Sequence, residues 1–105
     1  MKAPSVSVPL RRALVALADG HGELVTHTER SWASVTFTGA RHTLRYRYSG
    51  EAAVAAAERM IDALPEHEFT LPGVLVADAQ VTSVEIAIVD RVATVDMELL
   101  LLEDN

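Results

Sequence analysis

Read for the spacing of its apolar positions, the chain opens with Leu10, Leu14 and Leu17 at helical intervals behind Pro9, with Arg11 and Arg12 on the other side. Gly20 is placed to end this helix. Residues 1–8 are expected as a loose arm ahead of a single domain spanning 9–105. The segments 23–30 and 31–38 are rich in β-branched residues and predict strands. Residues 32–38 and 41–48 alternate polar and apolar positions around Gly39-Ala40, as in a two-residue type II′ hairpin whose glycine takes the positive φ. That register sets Phe37 beside His42, Val35 beside Leu44 and Ala33 beside Tyr46 on an inner face. It sets Trp32 beside Arg47 and Ser34 beside Arg45 on the outer one.

A second helix is predicted behind Ser49, its candidate N-cap, with Glu51 near the positive end of the helix dipole. Val54, Ala57, Ile61 and Leu64 share one side of it, Glu51, Glu58, Arg59 and Asp62 point away, and Pro65 ends it. The remainder predicts strands over 68–71, 74–79, 84–89 and 92–102, with a turn at Pro72-Gly73 and a longer loop around Asp90-Arg91. The expected fold is α+β, a two-layer sandwich of about six mainly antiparallel strands with two helices on one face. Its order is αβββαβββ, and Ser34-Val35 against Ser83-Val84 is a slight echo of internal duplication.

Composition narrows the chemistry. A chain of 105 residues, half of them apolar and 23% charged, is globular and long enough for one core. The lack of cysteine excludes disulfides, thiolate metal sites and a thiol nucleophile. A net charge of -6 argues against nucleic acid and anionic membrane as main partners. The charge is divided, however. Residues 1–50 hold seven basic and three acidic side chains, a balance of +4; residues 51–105 hold two basic and twelve acidic ones, a balance of -10. No apolar stretch is long enough to cross a bilayer and no signal-peptide core is present. Arginine outnumbers lysine eight to one, the usage of a high-GC bacterial genome, so the expected location is a bacterial cytoplasm.

Motifs for phosphate cradles, dinucleotides or a nucleophile elbow are missing. His21, His27, His42 and His67 are scattered, and the reading assigns no metal, no cofactor and no catalytic residue. The sharpest constellation is the outer face of the first hairpin, where Trp32 joins Arg41, Arg45 and Arg47. Glu85, Asp96 and Glu98 form an acidic stripe on the last hairpin, unfavourable unless a basic partner relieves it. In Leu99-Leu100-Leu101-Leu102, alternation sends Leu100 and Leu102 to the face opposite the core, which therefore needs cover. These nine residues are the candidate partner-binding set. The expected function is that of a homo-oligomeric interaction module, a homodimer in its simplest form, working through an exposed sheet face. An acidic protein surface is the other fitting partner. The alternatives are a small-molecule binder or enzyme with a pocket lined by His42, Tyr46 and Tyr48, or a single-strand nucleic-acid binder using Trp32, Arg45 and Arg47.

Overall fold

In the computed structural model, which describes residues 6–104, the chain is built from two helix–hairpin units. Helix α1 (Ser7–Leu17) precedes a hairpin of β1 (Glu23–Ala33) and β2 (Thr38–Ser49). Helix α2 (Glu51–Ala63), extended by a 3-10 turn over Leu64–Glu66, precedes a hairpin of β3 (Val74–Ala87) and β4 (Val92–Glu103). All four strands join one antiparallel sheet in the order β1-β2-β4-β3, so the last strand of each unit lies at its centre.

The fold is thus α+β with four strands, and the expected six strands in the order αβββαβββ are corrected to αββαββ. Two expected strands, 74–79 and 84–89, are one. The register of β3 against β4 shifts between Val76 and Asp78 and again between Val81 and Ser83. A bulge inserts an extra residue and breaks the two-residue alternation without ending the strand. A shift between Leu24 and Thr26 does the same in β1, which runs through the polar stretch that had suggested a boundary near Arg30. Segment 68–71 contributes only an isolated bridge from Leu71 to Val74.

The first hairpin turns at 34–37 and not at Gly39-Ala40. The Ser34 N–H donates to the Phe37 carbonyl at 2.8 Å, and the Phe37 N–H donates to Ser34 Oγ at 3.1 Å, closing a four-residue loop. Gly39 lies inside β2 between Trp32 and Leu102 and has no positive φ. Its role is close approach: a Cβ there would run into the Leu101 carbonyl and the Leu102 backbone. The real turn-former is Gly50, at φ 97°, which caps α2 in place of Ser49 and donates to the Arg91 carbonyl at 2.8 Å. At the other terminus α1 begins at Ser7, so Ser7 and Val8 belong to the helix, while 1–5 of the expected arm lie outside the described residues. Pro9 falls in the first turn, where its missing N–H costs nothing.

Both helices cover one face of the sheet. Leu10, Leu14 and Ala18 from the α1 end meet Ala53, Ala57, Met60 and Leu64 from the α2 end over a floor of Leu44, Tyr46, Tyr48, Val95, Met97, Leu99 and Leu101. Small residues on α2 let that helix lie close to the sheet. The opposite face carries no helix. Substituting Gly39→Ala should cost about 1–3 kcal/mol, because the added methyl group meets backbone that cannot rotate away. Urea unfolding reads this as a lower midpoint at unchanged slope.

Candidate functional site

The uncovered face gathers the nine residues singled out by sequence. Trp32 comes from β1, Arg41, Arg45 and Arg47 from β2, Asp96, Glu98, Leu100 and Leu102 from β4, and Glu85 from β3. Their partners differ from expectation. Trp32 lies opposite Gly39, while Arg47 lies opposite Glu23 at the far end of the β1–β2 ladder, so the expected pairing of Trp32 with Arg47 is replaced. The basic patch and the acidic stripe meet inside the chain. Arg41 reaches Glu98 at 2.8 Å; Arg45 grips Asp96 through two bonds of 2.6 and 3.0 Å; Arg47 reaches Glu23 at 3.0 Å. The Arg45 side-chain hydrogen bonds hold Asp96 below the usual carboxylate range, and the same bonds raise Arg45. Arg45, Arg47 and Glu85 border a shallow, polar hollow of about 370 Å³ with Val25 at its edge.

Apolar residues occupy one end of this face. Trp32 pairs with Gly39, Gly39 with Leu102, and Leu102 with Leu75, one position from each strand in a row across the sheet. Leu100 beside it is buried at 9% exposure, and Leu75 is half exposed. Leu75 was not among the expected residues, because the two bulges of β3 displace the alternation that would have assigned its face.

Beneath α1, two of the histidines that are scattered along the sequence join a polar chain. Arg11 Nε donates to His27 Nδ1 at 2.9 Å, and His27 Nε2 lies 2.9 Å from His42 Nδ1. Arg11 can only donate, so His27 carries its proton on Nε2 and donates it to His42. His42 is 1% exposed and lies opposite Glu29 and Leu99, not beside Phe37. Burial lowers both histidines; the Arg11 charge lowers His27 further, and Glu29 opposes these effects in both. Tyr46 and Tyr48 complete the inner face of β2, both raised by burial, and the buried Tyr46 hydroxyl has no hydrogen-bond partner among the described residues. A correct hairpin turn was the signal needed: only the 34–37 loop sets His27 diagonal to His42. Among the described residues, no three His, Asp or Glu side chains gather as a metal-binding group. Among them also, no helix is long and apolar enough to cross a membrane.

No family model matches the chain, and no curated protein matches it. Among solved structures it is similar to a chain from the virion of a native gene transfer agent particle, with a TM-score of 0.55 and 17% identity. That likeness covers 95% of this chain and 92% of the other, and at this identity it concerns the fold.

Two predictions come from this geometry. Arg45→Asp should lower the melting temperature by setting like charges across β2 and β4, and adding Asp96→Arg should recover much of the loss. Recovery in the double variant separates a pairing effect from simple loss of either side chain. The histidines also make stability depend on pH. Their folded values lie below the ordinary 6.5, so between the two values the unfolded chain binds more protons. Stability is full above about pH 6.5 and falls as the pH drops beneath it. Thermal unfolding between pH 8 and 5 should show this fall, and His27→Asn with His42→Asn should flatten it.

Proposed function

We propose that this chain is a non-enzymatic structural subunit that assembles with copies of itself. The observation that carries the reading is the row of Trp32, Gly39, Leu102 and Leu75 on the face that no helix covers. An apolar row beside a row of closed ion pairs is the surface of a sheet that takes cover from another molecule. The candidate residues then divide by role. Trp32 and Leu102 supply the apolar contact, with Leu75 added, while Leu100 is already buried within the chain and supports the row from beneath. Arg41, Arg45 and Arg47, with Asp96 and Glu98, border it as pairs already neutralised, and Glu85 stands beside them. The fold likeness to a virion chain supports the reading, since a virion is an assembly of protein chains. The cysteine-free, arginine-rich composition suits a chain that folds in a bacterial cytoplasm and acts there or in a particle assembled there.

The mode of association separates this reading from an electrostatic one. If the Arg patch of one copy met the acidic stripe of another, salt would dissociate the assembly. Here those charges are satisfied at home, so an apolar contact should persist in high salt and strengthen in sulfate. Sedimentation velocity of the full chain at micromolar concentrations should show species above the monomer at 0.1 M and 1 M salt alike. Replacing Trp32 and Leu75 together with alanine should weaken association at least about tenfold while the far-ultraviolet circular dichroism stays unchanged. A strict monomer throughout the concentration range would sink the proposal.

A further inference from the structure

Arg11 on α1, His27 on β1 and His42 on β2 form a chain in which both acceptor nitrogens are already in use. Arg11 Nε–H donates to His27 Nδ1 at 2.9 Å, and His27 Nε2–H donates to His42 Nδ1 at 2.9 Å, so neutral His42 carries its own proton on Nε2. A further proton can enter only at one of the two Nδ1 atoms. At His27 it faces the Arg11 N–H. At His42 it faces the His27 N–H, and moving the His27 proton to Nδ1 turns that donor against Arg11 instead. Each way of adding one proton therefore sets two donors against each other at hydrogen-bond distance.

The surroundings decide which member yields. His27 is held in the ladder opposite Leu44, and His42 is held between Glu29 and Leu99. Arg11 belongs to α1, which lies farther from the sheet than α2 does. The loop from α1 to β1 contains two glycines of positive φ. Gly22, at φ 119°, is set against the rings of Tyr46 and Tyr48, whereas Gly20, at φ 88°, has open space around it, so the loop has one fixed pivot and one free one.

The charged and titratable groups around the pair are Arg11 from α1, Glu29 from β1 and, within reach of the Arg11 charge, Tyr46 from β2; β4 contributes apolar Leu99. Glu29 is exposed and opposite His42, so it is the counter-ion that remains once Arg11 leaves. The buried Tyr46 hydroxyl, without a hydrogen-bond partner among the described residues, gains water by the same movement. His42 is 1% exposed, so a proton held there is hydrated only when the helix above it lifts.

We infer that α1 is an acid-sensitive latch: a proton on the His27–His42 pair expels Arg11 and lifts α1 from the sheet about Gly20, while α2 and the β2–β4 ladder stay in place. What opens is one helix and not the whole chain. Burial and the Arg11 charge hold His27 below its ordinary 6.5, so α1 is shut at neutral pH and opens as the pH falls beneath that value. The latch lies on the face opposite the Trp32–Leu75 row and does not depend on the self-assembly reading.

Native-state hydrogen exchange of the full chain in low urea tests the latch. Between pH 7.5 and pH 5.5 the protection factors of the α1 amides should fall about tenfold, the scale of one hydrogen bond. They should lie below those of α2 and the β2–β4 ladder and change little with urea, whereas exchange in the ladder should rise steeply with urea because it requires global unfolding. His27→Gln keeps an acceptor for Arg11 and takes no proton, and it should remove most of the pH response. Arg11→Met, at a partly exposed helical position, should leave α1 weakly protected at both pH values. If the α1 amides share the protection and the urea slope of the ladder, only global unfolding occurs and the latch is overturned. It is equally overturned if α1 protection is the same at both pH values, which would mean that the Arg11 side chain moves without its helix, or if Arg11→Met keeps the unaltered pH response.

Discussion

Everything in this molecule hangs on the antiparallel seam between β2 and β4. It runs unbroken from Gly39–Leu102 to Ser49–Val92 and joins the two helix–hairpin units, which otherwise would be separate three-element pieces too small to stand alone. On its inner side it supplies the floor of the core, where Leu44, Tyr46 and Tyr48 alternate with Val95, Met97 and Leu99 under both helices. On its outer side it sets Arg41 near Glu98 and Arg45 against Asp96. A backbone ladder with period two lets one pair of strands do both things at once. Gly39 marks where the seam is tightest, since no other residue lets β2 approach the Leu101 carbonyl so closely.

The seam also explains the charge distribution. A basic first half and an acidic second half look like two surfaces seeking a partner, and at the seam two of their charges meet one another. Arg41 and Arg45 from the first unit take Glu98 and Asp96 from the second, and Arg59 of α2 takes Asp19 beyond α1 at 2.7 Å. Such exposed pairs add little stability one by one, but they favour the correct apposition of the two units over competing ones. With Arg41, Arg45 and Arg47 each paired inside the chain, the row of Trp32, Leu102 and Leu75 remains as the surface feature that calls for a second molecule.

Beneath α1 the physics is different. Arg11, His27 and His42 form a hydrogen-bonded chain whose members are held neutral or pointed at solvent according to depth. His27, between the Arg11 charge and buried His42, has little tolerance for another proton. The first unit is therefore tied down by an interaction that weakens in acid, whereas the second is packed through alanines, Met60 and Leu64.

Much of the local structure was legible from the chain itself. Helical spacing located α2 and its end at Pro65, and alternation located β2, β4 and the faces of Arg41, Arg45, Arg47, Asp96, Glu98, Leu100 and Leu102, because a side chain's face follows from parity along an unbroken strand. Parity fails at a bulge, and the shift between Val81 and Ser83 makes β3 read as two strands, whereas β1 reads as two because of the polar stretch near Arg30. A Gly-X pair flanked by alternation is the usual mark of a tight turn, yet Gly39 serves close approach and the turn is made by Ser34 five residues earlier. Sequence by itself determined the two-layer α+β character, the lack of thiol chemistry and the existence of an outer face with charge and leucine on it. Which charge meets which, whether His27 touches His42, and where the apolar row lies were decided only by tertiary structure. Those facts depend on register between strands far apart in the chain, and one bulge or one displaced turn is enough to change them.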